Sequence, residues 1–163
     1  MIEKLHEKYP DFKFTAVSGE PKPEKFPSYI DYVYRATPEK VAVLNNMHSI
    51  FVCTTVAEGF GLPGLEAMAC GGALVSSDYQ GVFDYATNEE NALISPAKDV
   101  EAMFRNVQRL LSDDGLRRRI AENGRQVALR RRLEETGALL EQTICPKPEF
   151  QNSHESDGVK SKV

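Results

Sequence analysis

The stretch that most constrains the fold is residues 52–75, VCTTVAEGFGLPGLEAMACGGALV, because three local signals meet in it. Residues 49–54 form a short apolar run of strand character, and a polar, glycine-containing loop follows over residues 55–62. Pro63 then opens a helical stretch with Ala67, Met68 and Ala69 as good helix formers, since a first-turn proline lacks only an amide hydrogen that would be orphaned there. Gly71 and Gly72 stop the helix, and the apolar residues 73–76 predict a second buried strand. Strand, loop, helix and strand in this order make a βαβ unit with parallel strands and a right-handed crossover.

The chemistry open to the loop follows from its composition. Gly59 and Gly61 flank Phe60 and keep side chains off the backbone, so a ligand can approach amides that face the positive end of the helix dipole. That suits a phosphate or a group of sugar hydroxyls. Glu58 stands at the mouth of the loop and Glu66 about one turn into the helix, with seven residues between them. A loop folded back over the helix N-terminus would aim both carboxylates at one ligand carrying hydroxyls at two places, as a nucleotide sugar does. Spacing alone leaves a plainer alternative, in which Glu66 complements its own helix dipole and Glu58 is a solvated loop residue.

The run EGFGLPGLEAMACGGALVSS resembles the E-x7-E region of the large glycosyltransferase group with the GT-B fold, glycosyl transferases group 1, which is similar to glycogen and sucrose synthases. The similarity continues through QGVFDYATNEENALISPAKDVEAMFRNVQRLLSDDGLRRRIAENGRQVAL and covers residues 1–143. It implies a C-terminal donor-binding domain over residues 1–144, an α/β Rossmann-like and mostly parallel sheet of about five strands flanked by helices. It implies transfer of a sugar from an NDP-sugar to an acceptor, with retention at the anomeric carbon and without a metal or other cofactor. Carried onto matching positions, the resemblance gives Glu58 the catalytic role of contacting and positioning the transferred sugar. Glu66 would accept hydrogen bonds from the ribose. The amides of Gly59, Phe60, Gly61 and Leu62 would hold the sugar and the distal phosphate. Asp84 stands where the family more often has Glu, and Gln80 where it has a second glycine, in a loop expected to cover the donor.

In the family the domain begins with a strand and loop that carry an arginine and a lysine for the diphosphate. This chain opens at what resembles the helix after that strand, so the first strand and both cations lack counterparts, as does a separate acceptor-binding domain. Weak donor binding and no transfer by the chain alone are therefore expected, because amides and a dipole must offset the diphosphate unaided. The alternative from another class is a non-catalytic partner module, or one subunit of a split glycosyltransferase. A Rossmann oxidoreductase is disfavoured, for no G-x-G-x-x-G opens a helix.

Composition bounds the rest. A chain of 163 residues with 41% hydrophobic and 27% charged residues reads as one globular domain. A net charge of −4 gives no support to general nucleic-acid binding, and no nucleic-acid partner is expected. No apolar stretch approaches the roughly 20 residues that cross a bilayer, and the first residues are no signal peptide, so a cytoplasmic location is expected. Cys53, Cys70 and Cys145 lack C-x-x-C spacing and read as reduced thiols, the first two buried. His6, His48 and His154 are scattered, which predicts no metal site.

Taken in order, residues 1–9 predict a helix ended by Pro10, residues 12–17 a strand, the proline-rich residues 19–28 a loop, and residues 29–34 a strand. Thr37 caps a helix opened by Pro38, with Val41, Val43, Leu44 and Met47 as its buried face and His48 near its C-terminal end. Residues 92–95 predict a short edge strand. Asp99 caps a helix over residues 100–111, with Met103, Phe104, Val107, Leu110 and Leu111 on one face, and Asp113 or Asp114 starts another that turns Leu116, Ile120 and Val127 inward. Arginines at 117, 118, 119, 125, 130, 131 and 132 predict a solvated face paired with Glu122, Glu134 and Glu135. The same cluster fits peripheral contact with an anionic membrane. A last helix is expected over residues 133–144 and a disordered polar tail over 145–163.

Overall fold

The computed structural model describes residues 1–131, which form a single unit. The helix expected over 133–144, the tail over 145–163, Glu134 and Glu135 lie outside the described residues.

The described residues form five strands and five α-helices, in the order α1 (Ile2–Lys8), β1 (Phe14–Ser18), β2 (Ile30–Tyr34), α2 (Pro38–Met47), β3 (Ile50–Cys53), α3 (Leu62–Ala69), β4 (Ala73–Ser77), β5 (Ala92–Ser95), α4 (Val100–Ser112) and α5 (Asp114–Arg130). A short 3₁₀ turn, Gln80–Asp84, follows β4. The local signals fix the helix ends. Thr37 accepts from the Lys40 amide, Asp99 from that of Ala102 and Asp113 from that of Leu116, each satisfying a donor the first turn leaves open.

Every strand pairing is parallel, as expected, but hydrogen bonding divides the five strands into two ladders, β1–β2 and β3–β4–β5. In the Rossmann order 3-2-1-4-5-6 a further strand lies between those that correspond here to β1 and β3. At this seam the imidazole of His48, which ends α2 just before β3, meets Thr15 Oγ1 of β1 at 3.0 Å and the Leu44 carbonyl of its own helix at 2.8 Å.

The core is built on β4, all five of whose residues are buried. Its period-two alternation feeds two clusters. Ala73 and Val75 join Leu5, Leu93, Met103, Val107, Leu110 and Ile120 on one face. Leu74 joins Met68, Tyr79, Val82, Tyr85, Ala86, Ala92 and Ala128 on the other.

Four expectations are corrected by this packing. Val43 and Met47 are exposed, at 52% and 70%, and α2 buries no residue fully; Val41 and Leu44 alone of its expected face are half-buried. β3, at one edge of its ladder, is half-buried along its length, and Cys53 and Cys70 are half-buried too. Glu122 accepts from Gln126 rather than from an arginine. The arginine face is exposed as expected at 118, 119, 125, 130 and 131, and three of its side chains also reach other groups: Arg117 meets Asp114 and the Leu110 carbonyl, Arg119 the Glu89 carbonyl and Arg131 the Asp84 carbonyl. Among the described residues no helix is long and apolar enough to cross a membrane.

Candidate functional site

The loop between β3 and α3 lies at the C-terminal ends of the parallel strands, and its shape is set by the segment that follows β4. Gly61 takes φ +87°, the left-handed region, as the residue before α3. A Cβ there would overlap the Tyr79 hydroxyl and stand 2.9 Å from that of Tyr85. Gly81 does the same service from the other side: its Cα lies against the Gly59 carbonyl, where any Cβ would collide. Phe60 rests on the Tyr85 ring, with centroids 5.4 Å apart.

The two tyrosines are 2% and 4% exposed, and their hydroxyls are 2.7 Å apart. Tyr85 donates to the Gly61 carbonyl at 2.9 Å. Each phenol has one proton, so Tyr79 must be the donor to Tyr85. Burial pushes both phenols above the ordinary tyrosine range, and the nearby Glu58 carboxylate contributes at both. Asn91, itself buried, holds the Tyr85 carbonyl through Nδ2 and accepts from the Thr87 amide.

The candidate site residues are placed as follows. Glu58 is half-buried in the loop, within electrostatic reach of the tyrosine hydroxyls. Gly59 is exposed with nothing within 4 Å of where a side chain would start, Phe60 is half-buried, Gly61 is buried and Leu62 is exposed. The amides of these last four make no hydrogen bond with another described residue. Glu66 is exposed on α3 and lines a groove of about 410 Å³ with Ala36, Pro38, Val41, Ala42 and Asn45 across from it and Ala69 and Cys70 beside it. Asp84 is exposed, with its carbonyl engaged by Arg131. Among the described residues no three His, Cys, Asp or Glu side chains cluster as metal ligands would.

Sequence reasoning missed Tyr79 and Tyr85, and it assigned Val41 to the core rather than to a groove wall. The only local sign of the tyrosines is two buried aromatics with polar tips flanking a glycine turn; their target, Gly61, is distant in sequence.

A parallel, Rossmann-like sheet whose glycine loop feeds a helix at the strand ends is the architecture of one half of a GT-B glycosyltransferase. Residues 29–127, more than half of the chain, match the model of the family Glycosyl transferases group 1, and the chain belongs to that family. It is 36% identical over 94 residues to the N,N'-diacetylbacillosaminyl-diphospho-undecaprenol alpha-1,3-N-acetylgalactosaminyltransferase of Campylobacter jejuni, covering 58% of this chain and 25% of that protein. To the capsular polysaccharide biosynthesis glycosyltransferase CapM of Staphylococcus aureus it is 32% identical over 88 residues, 54% of this chain and 23% of the relative. The chain thus spans about a quarter of the length of these curated relatives. Among solved structures it resembles the C-terminal domain of the group 1 glycosyl transferase LpcC of Francisella tularensis, with TM-score 0.67 and 26% identity over 77% of this chain and 72% of that one. TarM shares the fold at TM-score 0.72 and 18% identity, over 86% of this chain and 30% of that one.

Proposed function

We propose that this chain is the donor-binding part of a retaining glycosyltransferase that moves a sugar from a nucleotide diphosphate to an acceptor. The observation that carries the reading is the run of four uncommitted amides at the start of α3, between Glu58 and a groove that Glu66 lines. The groove's walls are small and apolar, which suits the flat face of a base, and Glu66 at its edge accepts from the ribose hydroxyls. The amides from Gly59 to Leu62 and the dipole of α3 meet the distal phosphate and take up the charge that develops as the diphosphate leaves, so the reading assigns that role to no metal. Glu58 contacts the transferred sugar at the reacting centre. This is the E-x7-E arrangement of the glycogen and sucrose synthase type.

The name of the C. jejuni relative points to an acceptor sugar carried on a polyprenyl diphosphate, and its α linkage fits retention from an α-linked donor. Arg118, Arg125 and Arg130 are exposed on α5, and a cytoplasmic protein docked at an anionic membrane by these charges would meet such an acceptor. The acceptor side of the cleft belongs to a separate domain or chain, and without it this chain binds the donor weakly and transfers nothing.

Calorimetric titration with UDP, GDP and their sugars tests the reading. Binding is expected for one nucleotide series and at least tenfold weaker for Glu66→Ala. Affinity indifferent to that substitution would remove the ribose contact, and no binding by any nucleotide sugar would remove the function.

A further inference from the structure

We propose that Tyr79 and Tyr85 are positioning residues that aim the loop amides outward, a role that rests on the donor-site reading above. The geometry runs through the peptide planes. In a trans peptide the carbonyl of one residue and the amide of the next point in opposite directions. The Tyr85 hydroxyl holds the Gly61 carbonyl at 2.9 Å, and the Gly64 amide holds it at 3.0 Å. With that carbonyl turned toward the tyrosines and the helix, the Leu62 N–H in the same plane is turned away from them, where Leu62 is 58% exposed. Gly81 acts likewise on the preceding turn: the Gly59 carbonyl is pressed to its Cα, so the Phe60 N–H faces the other way.

The hydroxyl of Tyr79 supplies the second link. Its proton occupies a lone pair of Tyr85 at 2.7 Å, which leaves the Tyr85 proton no partner but the Gly61 carbonyl. Both oxygens occupy the space that a side chain at Gly61 would need, and Tyr85 also abuts Gly64, where a Cβ would stand 2.6 Å from its hydroxyl. Tyr85→Phe keeps the ring and its packing on Phe60 but removes the bond to Gly61, whereas Tyr79→Phe removes only the proton that directs the Tyr85 hydroxyl. Recognition of the diphosphate and sugar therefore depends on two hydroxyls that never touch them, whereas the nucleoside, held in the Glu66 groove, does not.

Tyr85→Phe, Tyr79→Phe and the double variant separate the possibilities. In the ligand-free ¹⁵N-labelled chain, backbone order parameters from Gly59 to Leu62 are expected to fall below about 0.6 in Tyr85→Phe, and to fall less in Tyr79→Phe, where the bond to Gly61 survives. Titrated in parallel with uridine and UDP-glucose, and with guanosine and GDP-mannose, the variants are expected to bind the nucleotide sugar about tenfold more weakly and the nucleoside within twofold of the unsubstituted chain. A loop as ordered in the double variant as in the parent overturns the proposal whatever the ligands do. So does an equal loss for nucleoside and nucleotide sugar, the mark of general destabilisation. If the loop loosens as expected while the parent chain binds no nucleotide sugar, the tyrosines keep their hold on the loop and the donor-site reading fails instead.

Discussion

The two ladders of this fold are built to different standards. Around β3–β4–β5 the strands alternate between two closed clusters, β4 is fully buried, and even the polar groups of Ser76, Ser77, Asn91 and Ser95 lie inside. Around β1–β2 no strand residue is fully buried, and α2 crosses the surface with Val43 and Met47 open to water. The groove lies where these halves meet, Glu66 on the well-packed side and Ala36, Pro38, Val41, Ala42 and Asn45 on the other. One wall is therefore well packed and carries Glu66 on α3, the helix into which the loop of Glu58 and the free amides leads. The other is lightly held and free to adjust to what enters, since local opening tracks the number of buried apolar contacts.

Substitution should expose this contrast most strongly in the apolar positions. Leu74→Ala, at a residue with no exposure, is expected to cost about 2–5 kcal/mol in urea unfolding. Val43→Ala, at a half-exposed position on α2, is expected to stay within about 0.5 kcal/mol of the parent. Equal costs would end the distinction between the halves.

The tyrosines give the well-packed half a pH signature. Their folded pKa values are raised, so their contribution is complete below the unfolded value near 10 and is lost as pH rises toward the folded one. Stability should fall above pH 10 by up to about 1.4 kcal/mol per pH unit for each phenol, and the double phenylalanine variant should flatten that slope in denaturation curves taken from pH 9 to 11. On the lightly held side, Thr37→Ala removes the cap of α2 and is expected to cost about 1 kcal/mol, visible as faster amide exchange in the first turn of α2 before any change near β4.

The smallest effect belongs to the pair that Glu89 makes with Arg109, at 2.5 and 2.8 Å. The hydrogen bond from Arg109 holds the Glu89 carboxyl below the usual range, so its contribution is present above the unfolded value near 4.3 and is lost as pH falls through the folded one. Both side chains are about half exposed, and Glu89→Gln should cost no more than about 0.5 kcal/mol at neutral pH, less in high salt. A larger loss would mean that this surface pair holds the loop before β5 in place.

Much of the fold was legible because its signals are local. Thr37-Pro38, Asp99, Asp113 and the Gly71-Gly72 stop act within one turn, and the helices begin and end within a few residues of where these signals lie. The alternation that buries Val75 against one cluster and Leu74 against the other is likewise a property of the strand itself. The face that α2 presents was misread because its apolar residues at 41, 43, 44 and 47 share one side of the helix, an arc of about 160° at 3.6 residues per turn, yet only one edge of that side meets the fold: the groove took Val41 while water took Val43 and Met47. The arginines read correctly as a solvated face, since Arg118, Arg119, Arg125, Arg130 and Arg131 are exposed, but their partners were not legible: among the described residues Arg117, Arg119 and Arg131 reach carbonyls of other segments, and Arg117 also pairs with Asp114.

What the sequence by itself determined is the order of the elements and the loop that feeds α3, since caps, prolines, glycines and a period of two are written in neighbouring residues. What only the tertiary structure decided is the division of the strands into two ladders and the hold of Tyr79 and Tyr85 on Gly61. Both join parts of the chain that are far apart, and such contacts are chosen by how whole surfaces fit once the chain has closed on itself, not by any residue's own preference.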